Sequence, residues 1–213
     1  MKNNLFEITQ TLIDFIDTLN PSKKNIVIKQ LNNYISTMGE MEKVSSPIDL
    51  SKALNQNVDE FMEEKESYIK AKLNKDISCS IGCDFCCYSD VTISLFEALA
   101  IVDYCNLNNI EIDIDKLKSQ ADKEDWDEVK YADRKCVFLD SKSRCKIYDV
   151  RPNSCRKYCV VSSPEKCNQE SNYGGKVERV ISLESELITS ASFNITESDR
   201  LSKLIIRSMG NAS

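Results

Sequence analysis

Apolar residues recur at spacings of three and four through most of the first 75 positions. Leu5, Ile8, Leu12, Phe15 and Leu19 make the first such stripe, one face of an amphipathic helix. Asn20-Pro21-Ser22 ends that helix and starts another. Val27, Leu31, Tyr34 and Met38 carry the second stripe up to Gly39, where a C-terminal stop is expected. Ser46-Pro47-Ile48-Asp49 predicts a capped start, with proline in the first turn and an acid three residues after the cap. Leu50, Leu54, Val58, Phe61 and Tyr68 then mark a long third helix. The stripes predict three helices packed on one another, with a face that leaves room for a protein partner.

Ser94 and Glu97 form a capping box for a further helix, which places Leu95, Ala98, Val102 and Cys105 on one side. Cys105 therefore reads as a small core residue. Leu117, Ala121, Trp126 and Val129 mark another helical stretch. The texture changes at Cys136. Cys136-Val-Phe-Leu and Cys145-Lys-Ile-Tyr are short, apolar and β-prone, and Asp140 to Arg144 between them is turn-like, so a small hairpin is expected. Arg151-Pro152 breaks regular structure before Cys155. A Gly174-Gly175 turn follows, then a final helix capped by Thr196-Glu-Ser-Asp199, with Leu201, Leu204 and Ile205 on its apolar face and Gly210 after it. The fold class is mainly α: a helical domain with a small β-hairpin and loop cysteine cluster that binds metal. Three regions are expected: an N-terminal helical region at 1–75, the cysteine-cluster domain at 76–170, and a helical extension at 171–213 packed on the same domain.

Composition supports helices. Gly and Pro number only 5 and 4 in 213 residues, and hydrophobic content is 41%. No apolar run approaches the length of a membrane span. Glu7, Asp14 and Asp17 interrupt the apolar residues near the start, unlike a secretory signal, so the expected location is the cytoplasm. The sequon Asn194-Ile-Thr196 carries no meaning without secretion. Histidine is absent, which excludes Ser-His and Cys-His triads and histidine-based catalytic zinc sites.

All ten cysteines lie between Cys79 and Cys167, and four form one knot, Cys79-Ser-Ile-Gly-Cys83-Asp-Phe-Cys86-Cys87. In a reducing compartment such a cluster reads as metal ligands or redox groups rather than disulfides. Ligands three or four residues apart can converge from one loop, and Gly82 lets that loop turn tightly. Four thiolates suit a tetrahedral zinc site or an iron–sulfur (4Fe–4S) cluster, and either leaves a net negative charge. The chain's charge of −6 hides a basic run that answers this. Eight basic residues from Arg134 to Lys157 face only Asp140 and Asp149, a local +6. This run reads as charge compensation for the cluster. A pI near 5.0 argues against a nucleic-acid surface. Arg151 and Arg156 flank Cys155 and are the candidates for hydrogen-bonding near the metal.

The knot, followed by Cys136-Val-Phe-Leu and then Cys145-Lys-Ile-Tyr-Asp-Val-Arg-Pro-Asn-Ser-Cys155-Arg-Lys-Tyr, resembles the YkgJ-type CxxCxxCC family, a zinc- or iron-chelating domain of bacterial proteins. The resemblance covers roughly residues 76 to 170. It implies Cys79, Cys83, Cys86, Cys87, Cys136, Cys145, Cys155 and Cys167 as metal ligands. Cys159 departs from the family pattern: a ninth thiol, a substitute ligand or a redox-active neighbour. The cysteine motif is also similar to that of flagellin lysine N-methylases, which implies an alternative, an iron–sulfur enzyme of S-adenosylmethionine-dependent protein methylation, or a redox protein. Eight ligands leave open two four-coordinate centres or one cluster with a supporting shell.

Overall fold

A computed structural model describes residues 8–171 and 175–210. Leu5 of the first stripe and Gly174 of the expected turn lie outside them. Helix α1 spans Gln10–Asp17, α2 Pro21–Glu42 and α3 Pro47–Leu73. Each starts on a side-chain cap: Thr9, Asn20 and Ser46 accept from the N–H groups of Leu12, Lys23 and Asp49. The expected stop at Gly39 is corrected, since α2 continues to Glu42. A methyl group at Gly39 would lie 3.9 Å from Ile195 Cγ2, so this turn is packed against another helix, and that contact outweighs the poor helix propensity of glycine.

Strand β1 (Thr92–Ser94) leads into α4 (Leu95–Leu107), and α5 covers Ile114–Ala121. The capping box forms as expected: Glu97 accepts from the backbone and hydroxyl of Ser94 at 2.8 Å each. The helical stretch expected to run through Trp126 stops at Ala121. Asp125 there takes the Asp127 N–H at 2.9 Å, which favours a separate 3-10 turn at Trp126–Glu128.

The expected hairpin shrinks to a single bridge, Leu139 to Cys145. Asp140 accepts from the N–H groups of Lys142 and Arg144 and fixes the turn. The Cys136 N–H donates to Cys87 O at 2.8 Å, so the start of this arm is tied to the knot, and only Phe138 and Asp140 bond across the turn, to Lys146 and Arg144. Helix α6 (Asn153–Arg156) follows, then β2 (Cys159–Val160) and β3 (Arg179–Val180), which pair antiparallel.

Two further helices close the fold: α7 (Leu183–Ile195) and, after β4 (Ser198–Arg200), α8 (Leu201–Gly210). The expected cap at Thr196–Asp199 is corrected. Strand β4 pairs there with β1 in the register Ile93 to Asp199, and the Thr196 hydroxyl has no hydrogen-bond partner. Helix α7 has no single apolar stripe because it is buried on nearly every side. Its hydroxyls are small and partly self-satisfied: Thr189 donates to Ser185 O and Ser192 to Thr189 O. Neighbouring helices can therefore come close.

Two apolar cores result. Leu12, Leu31, Met38, Leu54, Val58 and Ile188 belong to one, built from α1, α2, α3 and α7. Ile93, Ile101, Leu117, Phe138, Leu204 and Ile205 belong to the other, built from α4, α5, α8 and the Cys136–Val150 segment. Packing of α3 on α4 and on α6 joins them. Cys105 is 1% exposed in the second core, as its place on the helix face predicts. No helix among the described residues is long and apolar enough to cross a membrane.

Candidate metal centre

The cysteine segment has little regular structure of its own, and backbone contacts from outside position its thiols. The knot's first turn closes with Cys83 N–H on Ser80 O at 3.0 Å, and Gly82 takes a φ of +91°, as a tight loop there requires. Ser78 N–H donates to Val160 O at 2.8 Å, which lays Cys79 alongside Cys159 of β2. A 3-10 turn at Phe85–Tyr88 holds Cys86 and Cys87 and packs against another at Pro164–Cys167. Around that contact Tyr88 stacks on Tyr131 at 4.9 Å, Tyr131 donates to Asn168, and Gln169 donates to Ser89.

Cys155 is placed by the second core. Glu97, 2% exposed, accepts the Asn153 N–H at 2.9 Å, and Ser154 Oγ donates to Thr92 O. Pro152 begins α6 and breaks the preceding structure, as expected.

Nine thiols thus gather in one region, all partly buried and none in a disulfide. Cys105 stays apart. Two pairs of neighbouring thiols shift one another. Cys79 accepts a hydrogen bond from Cys159, which lowers it to about 6 and raises Cys159. Cys86 accepts from Cys87 and falls to about 7, while Cys87 is pushed well up. Burial is the main cause that raises Cys136 to about 11, Cys155 to about 12 and Cys167 to about 11.

Arg151 stands among these thiols. No carboxylate among the described residues pairs with it, and Cys155, Cys86, Cys145 and Cys87 hold its charge on despite burial. Arg156, the other candidate, is committed elsewhere: its guanidinium meets Asp59 of α3 at 2.7 Å, reaches Tyr148 O, and lies over the Tyr148 ring. Its charge still favours the Cys145 thiolate. Of the basic run, Lys157 pairs with buried Glu186 of α7, Arg134 with Asp127, and Arg144 with Asp140. That run mostly serves the fold, and Arg151, which has no carboxylate partner among the described residues, is the one most given over to the thiols.

A cavity of about 570 Å³ opens onto the cluster. Cys86, Cys87, Cys136, Cys145, Cys155 and Arg151 line it, with Phe138 and Phe193 among its apolar walls. Sequence reasoning did not find this cavity, because α7 and β4, which help to enclose it, left no stripe or strand signal.

Among the described residues, no three carboxylate or thiol side chains yet converge on one point at ligand distance. The donor set nonetheless fits a soft metal: an all-sulfur cluster without histidine, beside a guanidinium lacking a carboxylate partner. No curated protein and no solved structure matches the chain. Residues 78–177, just under half of the chain, do match a family model, CxxCxxCC, described as "Putative zinc- or iron-chelating domain". Over that segment the chain is similar to the CxxCxxCC family, in line with the resemblance of its cysteine motif.

Proposed function

We propose that the protein binds zinc or an iron–sulfur cluster through its cysteine segment, and that the centre is mainly structural. The observation that carries this is the contrast between the two kinds of architecture. The helices bring two apolar cores, whereas the knot, the reduced hairpin and the Cys155 turn hold only 3-10 turns, a single bridge and one four-residue helix. Structural zinc contributes about 10–16 kcal/mol of apparent binding free energy in small cysteine-rich segments, enough to fix such loops. The ligands in this reading are the eight family cysteines, with Arg151 as countercharge. A reducing compartment such as the cytoplasm suits nine free thiols. Removal of metal by a chelator under reducing conditions is expected to unfold residues 76–170 while α1 to α3 survive. An unchanged far-UV spectrum and melting curve after complete demetallation would overturn the structural role.

One observation favours a second reading, an iron–sulfur enzyme or redox protein. Five thiols line a cavity large enough for a small molecule. A closed structural site has no need of that access. Protein purified without air is then expected to be brown, with iron and labile sulfide in equal amounts. Colourless protein holding only zinc removes this reading.

A further inference from the structure

The 570 Å³ cavity carries more positive charge than its acids answer. Arg134, Arg151, Lys157, Arg179 and Arg200 line it, and Asp90 is the one acid among its lining residues. Three of these cations hold carboxylates: Arg134 pairs with Asp127, Arg200 with Asp90 and Lys157 with Glu186. Arg151 stands among the thiols, which are its countercharge. Arg179 of β3 is left over. It approaches Glu186, but that carboxylate is already engaged. Its Oε2 accepts from Lys157 and from the Thr9 hydroxyl, while Oε1 lies 3.9 Å from Arg179, beyond hydrogen-bond reach. Among the described residues the Arg179 guanidinium makes a single hydrogen bond, to Thr11 Oγ1 at 3.3 Å, and its Nε is shut from water with no acceptor. The Tyr158 ring lies 4.7 Å away and covers one face of the group. At this corner, then, two cations share one carboxylate, and one positive charge is in surplus. The start of α1 adds to it: Thr9 and Gln10 line the cavity, and the first turn of the helix holds no acid. Ile8, Ile13, Phe138 and Phe193 give the same cavity apolar walls.

We infer that the cavity binds a small organic anion, a monocarboxylate with an apolar body, and that Arg179 pairs with its acid group. The volume lies within the range of small-molecule sites, about 300–1,000 Å³, and is far more than a metal ion needs. A guanidinium held in a largely apolar wall without its hydrogen bonds is costly, and a carboxylate supplies both the countercharge and the acceptors. The single surplus charge suits a monoanion better than a phosphate monoester, which carries about −1.5 to −2 at neutral pH. The inference goes beyond the metal-binding reading and uses it only for the wall that the cysteine segment forms.

The test is calorimetric titration of octanoate, below its micelle-forming concentration, into the full-length protein as purified without air, with metal content measured on the same sample. One octanoate per chain is expected. Octanol, with the same body and no charge, and octyl phosphate, with a second charge, should each bind at least tenfold more weakly. Arg179→Gln should weaken octanoate at least tenfold while metal content and the far-UV spectrum stay as in the wild type. No octanoate binding, equal binding of octanol, or undiminished binding by Arg179→Gln overturns the proposal. Tighter binding of octyl phosphate overturns the assignment to a monoanion. Should the variant not fold, the comparison of octanoate with octanol on the wild-type protein still decides. Metal content reports separately on the metal-binding reading: metal-free protein counts against that reading, and the octanoate titration still decides this one.

Discussion

The backbone N–H of Asn153 donates to Oε1 of Glu97 at 2.9 Å, so the residue that caps α4 also anchors the turn that carries Cys155. The other oxygen of Glu97 takes both donors of Ser94. One carboxylate, 2% exposed, therefore couples a helix start to the turn that carries a proposed ligand.

Glu97→Ala leaves three buried donors without an acceptor. The expected cost is about 2–4 kcal/mol, allowing for partial relaxation. Denaturant unfolding of the protein as purified, without chelator, should show it as a lower midpoint. Metal affinity should fall as well, because α6 loses its tether.

Thiol labelling separates the two states of the metal-free protein. In the folded segment, Cys79 is lowered to about 6 beside Cys159 and Cys155 is pushed up to about 12 by burial. Once metal removal has unfolded residues 76–170, both should instead be alkylated by iodoacetamide together, as pH rises through the unfolded thiol range near about 8.5. A Cys79 that already reacts above pH 6 while Cys155 stays unmodified would show that the segment keeps its fold without metal. Its depressed thiol would then favour folding above about 8.5, a contribution lost as pH falls through about 6. Mass mapping of the labelled sites between about pH 5 and 9 distinguishes the outcomes.

Lys157 and Glu186 form an ion pair whose side chains are 7% and 4% exposed. Thr9 also donates to Glu186 at 2.6 Å, and Arg179 approaches it at 3.9 Å. Lys157→Met strands most of a buried charge and is expected to cost about 3 kcal/mol, near the low end of the range because Thr9 and Arg179 remain. The double change Lys157→Met with Glu186→Leu should recover much of that loss. A double-mutant cycle in urea measures the coupling.

Arg151→Gln removes the guanidinium that faces the thiols. Fewer thiols then favour ionisation, and metal affinity is expected to fall about 10–100-fold with little change in the helical content. Competition with a chromophoric chelator gives the affinity, and far-UV circular dichroism checks the fold.

Much of this architecture was legible in the sequence. The caps at Ser46 and Ser94, the break at Pro152 and the core role of Cys105 follow from local chemistry, which the fold leaves intact. Where long-range contacts decided the outcome, the sequence was silent or misleading. Helix continuity at Gly39 goes with packing near Ile195, and the Cys136 N–H is bound to Cys87 O, which leaves the hairpin only its turn-proximal pairing. Helix α7 escaped notice because burial on nearly every side erases periodicity. The metal-ligand types were visible from composition and spacing. The cavity, and the turning of Arg156 toward Asp59, depend on elements far apart in the chain.

The packing of α2 on α7 has a consequence for the growing chain. During synthesis α2 leaves the ribosome about 140 residues before its partner, and every cysteine of the cluster emerges in between. The first core therefore cannot close until the thiols have already met the surrounding medium, since long-range contacts form late. A nascent chain paused after Cys167 would present ten reactive sulfurs on an unfinished scaffold. Supply of metal, or of a thiol-protecting chaperone, matters most in that interval.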